Sequence, residues 1–421
     1  MRFIFKYGKK ELSIRWKNKA HIKKLSAPQS SIVIHDYICA MKEAVENPIN
    51  SPSLESLLKG CTPKTVSILV EDKSRQNKEY PECLNWLIEK ILIWNHCQIK
   101  LVVAYGAHSK HSREENRRLY GEENLKKALL IEHDCDDKKN LTTIGILSTG
   151  NELVINKHVS QSDFIIGFGN IAPHAFAGFC GGRKIILPGV SGRESIRRNH
   201  SLICENGVGL GLLDNNPIHL EMMEAARLAE LDFIINFIRN TKGDLVNICA
   251  GASDSSFFSG IKIVKEMNTV VAHGLSDVVL VSCGGHPMDK SLYHTQRTIT
   301  TAVKLIKKGG TIVVFAECSE GIGNSVYKEW LSRFTLSELL AMRKEQIILG
   351  GHSAYLTARN LTHCDIILFS ELSEQDTNQL HFIKLFDLSE IQRFIEVKHG
   401  KDYSAYILPC GSLILPEVVI S

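Results

Sequence analysis

Residues 162–200 read SDFIIGFGNIAPHAFAGFCGGRKIILPGVSGRESIRRNH. The opening FIIGFG is a short apolar run bounded by polar residues, which is the pattern of a strand buried on both faces. Similar runs stand at TVSILVED (65–72), IKLVVAYGAH (99–108), ALLIEHD (128–134), SDVVLVSCGG (276–285), GGTIVVFAEC (309–318), HCDIILFSEL (363–372) and SAYILPCG (404–411). Amphipathic stretches at 81–96, 112–129, 291–308 and 335–347 lie between them and predict helices. Apolar strands interleaved with helices predict an α/β protein with mainly parallel sheets flanked by helices. A chain of 421 residues exceeds one compact core, so two domains are expected. The boundary is placed near residue 272, after the helix-like SGIKIVKEMNTVVAHG (259–274), giving domains 1–272 and 273–421. No Gly/Ser or Pro linker separates them, so they are expected to abut around an interdomain cleft. The final segment, from about residue 407, is expected to pack back on the first domain.

Composition narrows the function classes. The chain is 44% hydrophobic and 23% charged, with a net charge of +4, which describes a globular protein only mildly basic. Its charges are interspersed without an aromatic-rich basic stripe, so no nucleic-acid partner is expected. The twelve cysteines are never closer than fourteen residues, which excludes C-x-x-C ligand pairs and a compact disulfide framework. The amino terminus lacks a signal-peptide pattern and no apolar run reaches membrane-spanning length, so a cytoplasmic protein without a membrane partner is expected.

In open parallel sheets, ligands bind beyond the carboxyl ends of the strands. Those ends carry Asp72, Ser74 and Arg75, then His108, then Asn170 and His174. The second domain offers Gly284, Gly285, His286, Asp289, Glu317 and Glu320 at its own strand ends. The glycine turn is not a phosphate loop of the G-x-x-x-x-G-K-[ST] type, because Arg183 stands where glycine is needed and Ile185 follows Lys184. Gly181 and Gly182 still allow close backbone approach to a ligand. Lys184 beside them is placed to neutralise phosphate, act as a base or form a covalent bond, against the plain reading of a solvated lysine. His108 and His174, at two strand ends, suit general acid–base work, and a facing pair is what inversion of a stereocentre requires. His200 suits a transition metal, although zinc-type spacing is missing. His111, His158, His219 and His352 lack such context and are expected at the surface or in packing. Cys180 is expected as a buried spacer.

These motifs together resemble the nickel-dependent lactate racemase family. The likeness runs through DKSR (72–75), GAHSKHSREE (106–115), GNIAPHAFAGFCGGRKIILPGV (169–190), NH (199–200), GGHPMDKSLYHTQR (284–297) and ECSEGIG (317–323). It implies a racemase or epimerase of 2-hydroxy acids whose cofactor is a nickel pincer nucleotide, supplied by its own synthesis enzymes. It implies a covalent tether at Lys184, a nickel ligand at His200, and acid–bases at His108 and His174. The resemblance also implies cofactor contacts from Asp72, Ser74, Gly181 and Gly182, and substrate contacts from Arg75, Tyr293, His294 and Arg297. In the implied mechanism a hydride leaves C2 for the cofactor and returns on the other face, while histidines move the hydroxyl proton.

The chain departs from the lactate-type pattern at His294, where glutamine is usual, and at Arg297, where lysine is usual. Ser109 and Lys110 stand where Arg-Pro usually follows the loop histidine. These changes point to a hydroxy acid other than simple lactate (a larger acid, a sugar acid or a dicarboxylate), against the plain reading of neutral drift at these positions. The alternative is a non-catalytic carrier or sensor of the nucleotide, which would not need both acid–bases. A zinc hydrolase or NAD dehydrogenase lacks its spacing signature here.

Overall fold

The computed structural model describes residues 1–16, 21–28, 32–75 and 78–419; the side chain of Arg75 lies outside the described residues. A six-stranded sheet runs in the order Leu245–Gly251, Phe233–Arg239, Phe164–Ile171, Thr65–Val70, Gln98–Val103, Leu129–Glu132. All neighbours are parallel except the pair Phe233–Arg239 and Leu245–Gly251. Alternate residues of one strand enter two cores. Val66, Ile68 and Val70 meet Met41, Leu84 and Leu87 on one side, while Leu69 joins Ile185, Ile234 and Phe257 on the other. Burial on both faces explains why these strands are continuous apolar runs.

The second sheet has five parallel strands, Asp365–Phe369, Ile306–Phe315, Ser276–Ser282, Ala405–Leu408 and Ile22–Lys24. Its fifth strand comes from the amino terminus. The hairpin of Arg2–Tyr7 and Lys10–Arg15 packs there too, with Phe5 stacked on Phe315 at 4.9 Å and the Trp16 indole donating to Tyr403 Oη at 2.6 Å. A first domain of 1–272 therefore needs correcting: the hairpin Arg2–Arg15 and the strand Ile22–Lys24 build on the second sheet. Their aromatic side chains find an apolar face there.

The carboxyl end, Leu415–Val419, pairs parallel with Thr269–His273. Leu415, Ile347 and Leu356 all enter the core of the first sheet, so the two units share apolar contact. Arg197 donates to the Ile347 carbonyl at 3.2 Å and Lys304 to the Leu210 carbonyl at 2.6 Å across the same junction. The stretch 112–129 forms two helices, Arg113–Tyr120 and Glu122–Lys127, broken at Gly121 with φ +85°. Within 335–347 only Leu336–Leu340 is α-helical. Among the described residues, no helix is long and apolar enough to cross a membrane. All twelve cysteines are free thiols.

Candidate active site

Parallel strands open their carboxyl ends at one edge, and three neighbouring strands deliver the site there. After Thr65–Val70 the chain turns through Asp72 into the short 3-10 turn Lys73–Arg75. Asp72 is buried, and its Oδ1 accepts from the Ser74 amide at 2.8 Å and the Ser74 hydroxyl at 2.5 Å. Its Oδ2 lies 2.5 Å from His108 Nδ1, delivered by the next strand. An ionised carboxylate only accepts, so His108 donates from Nδ1 and the imidazole is oriented by Asp72. The His108 side chain stays 62% exposed. His111, three residues on, is buried and structural: its Nε2 accepts the Lys73 amide at 2.9 Å.

After Phe164–Ile171 comes a tight antiparallel pair, Pro173–His174 against Gly178–Phe179. At its tip stands Phe176, and four polar side chains surround that ring. The His174 centroid is 4.5 Å away, His200 5.2 Å and His352 5.5 Å, with Lys184 Nζ at 5.9 Å. The Phe176 carbonyl accepts from buried Asn216 at 2.8 Å, which pins the tip. His174 Nδ1 accepts the Ala177 amide at 3.2 Å. Nothing in the motif spacing marks Phe176, because its role is to fill the space between groups distant in sequence.

Lys184 lies in the 3-10 turn Gly182–Ile185 and is buried. Arg183, also buried, builds that turn. Its guanidinium donates to the carbonyls of Ala177, Phe179 and Gly181 at 2.9, 2.8 and 3.2 Å, and to His219 Nδ1 at 3.2 Å. It also lies 4.2 Å from the Phe257 ring. The two glycines serve close packing against protein. Gly181 has φ +85° and a Cβ there would meet the Asn170 carbonyl at 2.7 Å; Gly182 has φ +49° and would press on Phe257 at 2.9 Å. The approach they allow is therefore to the strand and helix behind the turn. Cys180 is a buried spacer.

His200 sits on the helix Arg193–Ser201, fixed by Asn199 donating to Glu221 at 2.6 Å. Its ring faces that of His352 at 5.0 Å with planes at 89°. Burial pushes His200 well below the ordinary histidine range, and the positive charge that His352, Lys184 and His108 bear when protonated pushes it the same way. The ring is therefore neutral, with a lone pair to offer. Its Nδ1 is buried without a hydrogen-bond partner among the described residues. A neutral imidazole beside a buried amine suits a metal carried by a group anchored on lysine, so these residues fit the implied nucleotide.

From the second domain, the helix Leu292–Val303 presents Tyr293, His294 and Arg297 near its start. The Tyr293 hydroxyl accepts from Ser353 at 3.2 Å, and exposed His294 shares a hydrogen bond with Ser291 at 2.7 Å. Arg297 is half-buried, near enough to lower the Cys410 thiol against the larger raising effect of its burial. Of the two places expected for His352, the surface or packing, the structure shows packing. Its ring is buried against His200 and Phe176, because the helix Gly351–His363 inserts its first turns beside the first unit. Of the other second-domain candidates, Asp289 accepts the Gly8 amide at 2.6 Å and so anchors the amino-terminal hairpin, while Glu320 pairs with Lys290 at 3.1 Å.

Three histidines and a buried lysine grouped where two α/β units meet define a two-domain α/β protein with a candidate acid–base site at the junction. Residues 7–211 match the lactate racemase N-terminal domain and residues 271–415 the lactate racemase C-terminal domain. The chain belongs to the lactate racemase family. It is 30% identical over 387 residues to the lactate racemase of Thermoanaerobacterium thermosaccharolyticum, covering 90% of each chain. It is 29% identical over 385 residues to that of Lactiplantibacillus plantarum, covering 88% of this chain and 89% of the other. The lactate racemase apoprotein structure from T. thermosaccharolyticum superposes with a TM-score of 0.92 at 28% identity, covering 99% of this chain and 100% of that one. A Thermotoga maritima protein at 17% identity and TM-score 0.64 shares the fold alone.

Proposed function

We propose that the protein is a cytoplasmic racemase or epimerase of a 2-hydroxy acid that uses a nickel pincer nucleotide tethered to Lys184, with His200 as the nickel ligand. The observation that carries this is the Phe176 ring with His174, His200 and Lys184 grouped around it within 4.5–5.9 Å. When bound, the nucleotide would be held by Lys184 and His200 and would supply reversible hydride-acceptor chemistry for C2. The nucleotide comes from dedicated synthesis enzymes, which are the partners this reading requires.

The chain's own residues handle the substrate and its proton. Arg75 and Arg297 supply cations for the substrate carboxylate, Arg75 in a bidentate pair. His108 takes the 2-hydroxyl proton at Nε2, and the Asp72 carboxylate stabilises the imidazolium through Nδ1. His174, with Nδ1 accepting from Ala177, carries its neutral proton on Nε2 and hydrogen-bonds the substrate oxygen from the other side. In the step that forms the opposite enantiomer His174 acts as the imidazolium, its 3.2 Å contact to Ala177 released because Nδ1 then carries a proton. It gives its Nε2 proton to the product oxygen while His108 passes the proton it took to solvent. Closure of the two units keeps water from the reacting carbon. His294 and Arg297 favour a hydroxy acid larger or more polar than lactate.

Two measurements test this reading. After expression with the cofactor-synthesis enzymes, intact-mass analysis is expected to show an adduct that Lys184→Ala loses, while His200→Ala keeps the adduct and loses nickel. An active protein with unmodified Lys184 and no nickel refutes the proposal. Turnover in deuterated water is expected to give inverted product retaining hydrogen at C2; extensive deuterium uptake there points to an enolate route instead.

A further inference from the structure

His352 has no part in the scheme above, yet it reaches the same place. Its ring is 5% exposed, stands edge-on to His200 at 5.0 Å and touches Phe176 at 5.5 Å. A backbone amide can only donate, so the Gly350 amide at 3.2 Å makes His352 Nδ1 an acceptor. The neutral ring then carries its proton on Nε2. The next residue, Ser353, donates to the Tyr293 hydroxyl, and His294 follows Tyr293 on its helix. The second domain thus brings hydrogen-bonding groups, in place of an aliphatic wall, to the metal-ligand end of the site.

Resting on the reading of the chain as a 2-hydroxy acid racemase, we propose that His352 is a substrate-binding residue. It selects acids that carry an oxygen acceptor beyond the reacting carbon, to which its Nε2–H donates. A site built around a buried donor disfavours a substrate that leaves the donor unpaired, and a methyl or ethyl group does so. The ring also lies on the domain opposite His108, His174 and Lys184, so it reads the substituent without touching the proton relay.

The test compares kcat/KM of the loaded enzyme for 2-hydroxybutyrate, glycerate and malate. Glycerate offers a hydroxyl and malate a carboxylate, so the two arms tell which acceptor is read. The wild-type protein is expected to favour one of the oxygen-bearing acids over 2-hydroxybutyrate by about tenfold or more. His352→Phe keeps a flat ring without the donor and is expected to remove most of that preference, and His352→Gln to restore part of it. Adduct mass and nickel content are expected to match wild type in both variants. A preference unchanged in His352→Phe, or a wild-type preference for 2-hydroxybutyrate, overturns the proposal. In the protein without cofactor, the ¹⁵N shifts of His352 are expected to report Nε2–H; a proton on Nδ1 also overturns it. Wild-type protein that carries adduct and nickel but racemises no 2-hydroxy acid overturns the underlying function as well.

Discussion

Asp72 and His108 act as one unit at the scale of single residues. The carboxylate is held by two donors from Ser74 and turns its remaining oxygen to the imidazole, so it sets both the angle of the ring and the position of its proton. Asp72→Asn keeps the shape and removes the charge that steadies an imidazolium. The expected result is a kcat lowered by about a hundredfold with KM and adduct mass unchanged, read by racemisation kinetics. A kcat within twofold of wild type removes Asp72 from the proton relay. The separate histidines were legible from their strand-end positions and the surrounding motifs. The partnership with Asp72 was not, because a hydrogen bond between residues 72 and 108 depends on how two loops fall over adjacent strands.

At the scale of elements, the turn that holds Lys184 is organised by Arg183. One guanidinium, buried from solvent, closes three carbonyls of the loop that also carries Phe176. Burial lowers Arg183 to about 9, still charged at neutral pH. Arg183→Met fills similar space but leaves those carbonyls unpaired. It is expected to destabilise the protein by about 3 kcal/mol in urea denaturation and to reduce the fraction of Lys184 modified. Wild-type stability with full modification contradicts this role. In the sequence, Arg183 stood out only as the residue that breaks a phosphate-loop pattern. Its role lay hidden because its acceptors are backbone atoms, which no side-chain motif records. Strands were legible where both faces are covered. Phe233–Arg239 and Leu245–Gly251 are buried too, but Asn236, Arg239 and Asn247 interrupt their apolar runs.

The whole molecule joins two sheets through apolar contact and a few polar ties, and it buries several neutral histidines. Burial lowers His133 to about 4 and His219 to about 3, with the charge of Arg183 adding to the effect at His219. The unfolded chain takes up protons on these rings near pH 6.5, and the folded chain does not. Their contribution is therefore complete above about pH 6.5 and lost as the pH falls toward 4 and 3, since the unfolded state then binds more protons. Each ring steepens the loss by at most about 1.4 kcal/mol per pH unit. Urea denaturation between pH 7 and 4 is expected to show this decline, less steep in a folded His133→Asn variant; equal slopes in the two proteins contradict it.

By itself the sequence determined the α/β class, most of the parallel strands, and the presence of His108 and His174 at strand ends, of Lys184 beside the glycine turn and of His200 at the end of the following motif. Those features are local: hydrophobic period, turn chemistry and contiguous motifs are written along the chain. Tertiary structure alone decided that Phe176 gathers the site, that the amino-terminal hairpin joins the distant second sheet, and that His352 meets His200. Each of these is a contact between segments far apart in the chain, made by filling shared apolar space, and such contacts leave no periodic or motif signal in either segment.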